Sequence, residues 1–210
     1  MKSLSLRPGI SLVELLIFIA VLALVIAVSL PLLFSASENR VLQQTISIVE
    51  HNGVQVLQNV SVRIHHAERI LSPALGSTGS FLALQTSSGA INPIIIGSQS
   101  GSLSIVEHAT REKISSSQVA ITDFVVRNTS VSATRQSVQV SFRVSRTIKF
   151  QQPHSYAQWF EATIPLFPAD EPVGNACGCA APSCYGNDTI GWQICQEGMC
   201  ISATTPLTCP

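Results

Sequence analysis

The sequence predicts an α+β protein: a long N-terminal helix, membrane-spanning in its first half, packed on an antiparallel sheet and followed by a cysteine-rich C-terminal tail. Three observations carry that expectation. Residues 10–34 form a nearly unbroken apolar run, and the apolar spacing then continues at threes and fours. Beyond Pro73 the period changes from helical to two. All six cysteines fall after residue 176.

The apolar run is the first element. About 20 apolar residues of helix span a bilayer core, and this run is slightly longer. A lone acid, Glu14, stands one turn inside its start, and past Gly9 the run supplies no cation. A carboxylate on a membrane helix costs a few kcal/mol unless it is paired, so Glu14 is either a snorkelling residue or a functional one. A cleaved secretory signal would have a shorter apolar stretch and a small-residue site on its far side, whereas this run closes with Leu30-Pro31-Leu32-Leu33-Phe34. The segment is therefore expected to be retained. Lys2 and Arg7 precede it, which leaves the leader cytoplasmic and sends the rest outward.

The stretch Arg7-Pro8-Gly9-Ile10-Ser11-Leu12-Val13-Glu14-Leu15-Leu16 resembles the processing site of type IV prepilins and type II secretion pseudopilins. The resemblance implies that a prepilin peptidase cuts between Gly9 and Ile10, that Ile10 becomes a methylated N-terminus, and that Glu14 is the family's retained glutamate. Isoleucine stands at Ile10 where phenylalanine is most often found. Pro31 falls where many members carry a proline in the first helix. In such filaments the apolar helices pack into the core, and the Glu14 carboxylate would lie near the methylated amine of Ile10 in a neighbouring subunit. Inside a dry bundle such a pair offsets the cost of burying each charge alone and sets the axial register.

Composition agrees with an exported protein that works through partners. Of 210 residues 11% are charged and 46% hydrophobic, with a formal net charge of +0, which points to neither a strongly basic nor a strongly acidic partner. Outside the apolar run the chain is rich in Ser, Thr and Gln, and about 140 residues suffice for one core.

The leader occupies 1–9, the membrane or filament-core helix 10–34, and an amphipathic continuation 35–72. In the continuation Leu42, Ile46, Val49, Val56, Leu57, Val60, Ile64 and Leu71 recur at helical spacing, and Ser72-Pro73 ends it. A helix over 10–71 would be about 90 Å long, so its second half must leave the bilayer and be covered by the domain. Pro31 removes one backbone hydrogen bond and is expected to kink or loosen it, and Gly53 costs about 1 kcal/mol relative to alanine.

A β-rich domain is expected over 73–165. Residues 81–85, 90–96 and 103–107 are strand candidates bounded by Gly-Ser clusters, and 119–128 with 137–146 reads as a hairpin. In the last of these Val138, Val140, Phe142 and Val144 alternate with polar residues, which predicts one face against the helix and one in water. Residues 159–164 add a strand before Pro165. The arrangement is similar to the globular part of the larger minor pilins and of J- or W-type pseudopilins.

The tail, 166–210, holds Cys177, Cys179, Cys184, Cys195, Cys200 and Cys209 in a Pro- and Gly-rich setting. An even number of cysteines in an exported segment reads as a disulfide-stapled module, with free thiols as an alternative. A metal knot is disfavoured, since Cys177-Gly178-Cys179 is too tight for the usual zinc spacing and no histidine lies nearby. The fifteen or so pairings of six cysteines remain open.

Enzyme signatures are missing from the sequence. His65 and Glu68 share a helical turn near His51 and His66, but a further ligand at defined spacing is lacking. No Gly-x-Ser-x-Gly turn, Gly-rich phosphate loop or paired carboxylates stand out, so neither catalysis nor a cofactor or metal is expected. Between Phe124 and Phe160 every charged side chain is basic, namely Arg127, Arg135, Arg143, Arg146 and Lys149, with Tyr156 and Trp159 downstream. That run admits DNA as a less favoured partner. The expectation is a minor pilin or pseudopilin, whose partners are the membrane, the prepilin peptidase and other subunits. The alternative is a filament-displayed adhesin that binds a surface ligand through its cysteine-rich tip, or DNA through its basic strands.

Overall fold

The computed structural model describes residues 12–87, 92–107, 110–132, 134–149, 153–167, 179–196 and 199–209. It is α+β, with one long apolar N-terminal helix and antiparallel sheets among the described residues. The chain divides into two compact units, Met1–Gln44 and Thr45–Pro210. Helix α1 covers Leu12–His65 and includes Pro31 without a break. The helix is therefore continuous through Pro31, the position at which kinking or loosening is expected.

In the second unit α1 buries Thr45, Val49, Gly53, Val56, Val60 and Ile64, a stripe at spacings of four and three. Leu42 is half exposed and Leu57 lies at the margin of the core. The helix ends at His65, short of the expected boundary at 72, because tertiary pairing takes over. The Glu68 N–H donates to Gln85 O at 2.8 Å, and the Ile70 N–H donates to Gln136 Oε1 at 2.7 Å. Strand β1 (Arg69–Ser72) then pairs antiparallel with β3 (Phe81–Gln85), so Leu71 belongs to a strand.

Two sheets and this helix enclose the main core. The first sheet has the order β1-β3-β4-β5-β6, with β4 at Ile94–Gln99, β5 at Ser102–Glu107 and β6 at Thr110–Lys113. The second has the order β2-β7-β8-β9, with β2 at Thr78–Gly79, β7 at Ala120–Asn128, β8 at Ser137–Lys149 and β9 at Pro153–Pro165. Of the expected strand 90–96, residues 90 and 91 lie outside the described set and the strand itself runs from Ile94 to Gln99. Val138, Val140, Phe142 and Val144 are fully buried with Val49, Val56, Val60 and Ile64, as their alternation predicts. Strands β8 and β9 pair from Ser137↔Pro165 to Lys149↔Pro153, longer than the expected 137–146 and 159–164. Proline is tolerated at both ends of β9 because β9 is an edge strand.

The central strands of the first sheet, β3, β4 and β5, are buried on both faces. Leu82, Leu84, Ile94, Ile96 and Ile105 join the main core, while Phe81, Ala83, Ile95 and Val106 face a second core built with the tail. That explains the unbroken apolar runs of β3 and β4, which an antiparallel sheet wet on one side would not need. The tail contributes a third sheet of order β10-β11-β12, namely Ser183–Cys184, Ile190–Gln196 and Met199–Thr205. Its Ile190, Trp192, Ile194 and Leu207 are buried in the second core. The tail is therefore more than a disulfide-held appendage, since it covers the back of the first sheet.

Candidate functional site

The residues with the strongest functional signal lie at the start of α1. Gly9 and Ile10 lie outside the described residues. Glu14 stands in the first turn, where the partial positive charge of the helix N-terminus favours an acid. From Leu12 to Phe34 the apolar side chains are exposed around the whole helix: Leu12 is 75%, Phe18 64% and Leu33 67% accessible. A helix apolar on every side is suited to a bilayer or a helix bundle, not to water. Among the described residues α1 is the one helix long and apolar enough to cross a membrane. The hydroxyl of Ser29 within this stretch donates to Val25 O at 2.7 Å, and that of Ser37 to Phe34 O at 2.7 Å. Both are thus satisfied inside the helix, which lowers the cost of placing them in hydrocarbon.

Within the second unit α1 is locked by shape and charge. Phe160 of β9 stacks on Phe142 of β8, with ring centroids 5.6 Å apart, and its ring occupies the space that a Cβ at Gly53 would need. Gly53, read from sequence as a weak point, is thus the seat of an aromatic ring. Arg63 bridges Glu107 at 3.2 Å and Glu112 at 3.8 Å, tying the helix to β5 and β6. His65 Nδ1 lies 2.9 Å from Pro165 O, and its ring stacks on Phe167 at 5.1 Å. His65 and Glu68 are not brought together with further ligands: among the described residues no group of three or more His, Cys, Asp or Glu side chains is placed to hold a metal ion.

Among the described residues the cysteines form two interleaved disulfides, Cys179–Cys200 and Cys184–Cys209, with Cα atoms 5.6 and 6.0 Å apart. Cys177 lies outside the described residues. Cys195 sits on β11 directly opposite Cys200 in the strand register. Beside the second bridge the Thr208 N–H donates to Ser98 O at 2.9 Å and Ser80 Oγ donates to Thr208 O at 3.1 Å. Leu207 packs over Gly97, so the C-terminal segment is laid directly on β4. Sequence reasoning had the cysteines but missed this docking, although Ile190, Trp192 and Ile194 alternate with period two.

The side chain of Lys149 lies outside the described set, and the other basic residues do not all share one face. Arg127 and Arg143 are exposed on the second sheet, with Arg143 opposite the exposed Trp159, while Glu161 on the same strand as Trp159 accepts a hydrogen bond from Gln139. Arg146, three residues beyond Arg143 on β8, points to the opposite face of the strand from it. Arg135 lies in the β7–β8 connection.

No family model, no curated protein and no solved structure matches this chain.

Proposed function

We propose that the chain is a non-enzymatic minor pilin or pseudopilin, processed after Gly9 and assembled through its first helix into a type IV pilus or a type II secretion pseudopilus. One observation carries this reading: a helix apolar on every side, opening with a single acid in its first turn and continuing into the core of a disulfide-bearing β domain. The run Arg7-Pro8-Gly9-Ile10 immediately before it supports the processing step. Disulfides agree with export, and the basic leader agrees with an inner-membrane anchor whose domain faces outward. In a filament the Glu14 carboxylate pairs with the methylated Ile10 amine of a neighbour, so subunits stacked out of step would bury two unpaired charges at a cost of several kcal/mol.

The test is fractionation. Glu14→Ala or Glu14→Val is expected to leave the protein processed and in the membrane but to reduce its amount in sheared fibres, whereas Gly9→Val blocks cleavage. Immunoblots of the membrane and fibre fractions read both, and wild-type fibre levels for the Glu14 variants refute the role. The reading includes a location, the inner membrane before assembly and the cell surface or periplasm after it.

A second reading, display of a ligand-binding tip, is favoured by the exposed Tyr185 and Met199 on the tail. Deleting the tail would not separate the two, because it would strip Phe81, Ala83, Ile95 and Val106 of their cover. Tyr185→Ser with Met199→Ser avoids that. Filaments formed normally but unable to adhere would favour display.

A further inference from the structure

Where the two larger sheets meet at one end there is a cleft of about 460 Å³, within the range of ligand sites. Its walls are the β4–β5 turn, the end of β6, the loop before β7 and the last part of β8. The turn is built to hold its shape: Ser100 (φ 49) and Gly101 (φ 74) are both left-handed, as a two-residue hairpin between the paired Gln99 and Ser102 requires. Gly101 O accepts the Ile121 N–H at 2.9 Å, which fixes the turn to the second sheet.

The lining is unusual in its chemistry. Lys113 and Arg146 supply two cations, none of the described lining residues is acidic, and most of the others are hydroxyl or amide side chains, among them Ser102, Ser117, Gln118 and Thr147. Arg146 lines the cleft while its Nη1 is buried without a hydrogen-bond partner. A guanidinium with one nitrogen buried and unpaired keeps its positive charge poorly compensated, and an anion in the cleft beside it, bonded to the nitrogens that line the cleft, offsets that charge. Among the described residues no aromatic ring lines the cleft, so no stacking platform of the kind single-stranded nucleic acid depends on is seen there. Two positive charges among neutral hydroxyls suit a ligand that is itself mostly hydroxyl with one anionic group.

We propose that this cleft binds an acidic saccharide, Arg146 and Lys113 receiving its carboxylate or sulfate and the hydroxyl and amide side chains its sugar hydroxyls. The inference goes beyond the filament reading and relies on it only for an exported setting in which such saccharides are met. Because the binding is measured on the isolated protein, its failure would leave the assembly reading untouched.

The test is calorimetric titration of the full-length protein in non-ionic detergent with glucuronate, a sulfated glucosamine, glucose, inorganic sulfate and a short oligothymidylate. Glucuronate or the sulfated sugar is expected to bind saturably and at least about tenfold more tightly than glucose, the worth of one charge-assisted hydrogen bond. Preference between the two acidic sugars tells carboxylate from sulfate. Arg146→Gln is expected to weaken binding about tenfold and Lys113→Gln severalfold, with Arg135→Gln unchanged. Should Arg146→Gln not fold, Lys113→Gln on the exposed strand β6 decides alone. The proposal is overturned by absence of saturable acidic-sugar binding, by equal affinity for glucose, or by inorganic sulfate binding as tightly as the sugars. Tighter binding of the oligonucleotide, or cleft variants with unchanged affinity, would overturn it as well.

Discussion

At the residue scale the most informative position is Gly53. Its intrinsic cost in a helix, about 1 kcal/mol relative to alanine, is visible in any sequence, but its reason lies 107 positions away in the ring of Phe160. Helix propensity favours Gly53→Ala, whereas overpacking opposes it by about 1–3 kcal/mol, and the second effect wins because the ring is held by Phe142. Thermal unfolding is expected to show Gly53→Ala destabilised, and Phe160→Leu in the same chain to recover part of the loss. An increase in stability for Gly53→Ala alone would contradict the packing. Arg63→Ala is expected to cost about 1 kcal/mol or less, since both partners are partly solvated. Among the site residues, Glu14 and the cysteines were readable directly, because charge in an apolar run and crowded cysteines are statements of composition. The cleft was not, since Lys113 and Arg146 are separated along the chain and only the meeting of two sheets joins them.

At the element scale, legibility followed burial pattern. The strand holding Val138, Val140, Phe142 and Val144 was readable because one face is dry and the other wet. Strand β6, Thr-Arg-Glu-Lys, is exposed throughout and gave no apolar alternation to read. The end of the helix was overshot because Leu71 keeps helical spacing from Ile64, and only pairing with β3 reassigns it. Strand β11 carried its signal in Ile190, Trp192 and Ile194, beneath the more conspicuous cysteines. The tail's docking is testable through Trp192, which is 4% exposed, against Trp159 at 58%. In a Trp159→Phe background, Cys184→Ser with Cys209→Ser opens a loop of 25 residues and is expected to cost about 3 kcal/mol. It should also shift Trp192 emission to the red at lower denaturant concentrations. Unchanged emission through the whole titration would show that the second core does not depend on that bridge. Leu207→Ala, which leaves the disulfides in place, is expected to cost about 2–5 kcal/mol through the cavity it creates over β4.

At the scale of the whole molecule, one chain combines two solvents. Its first unit exposes apolar side chains in a manner suited to lipid or to a bundle of like helices, and its second unit buries two cores around a shared sheet. The α+β class was legible because the period of the apolar pattern changes once, near Pro73. What the tail covers was not legible, because a sheet buried on both faces and a sheet buried on one differ only in what arrives later in the chain. The account of assembly makes Glu14 useful only if a free amine is generated at Ile10. The most direct measurement is therefore mass spectrometry of the N-terminal peptide of the protein purified from its native membrane or filament. The account predicts a chain that begins at Ile10 and carries one added methyl group on its amine. A mature, exported chain that still carries residues 1–9 would contradict it.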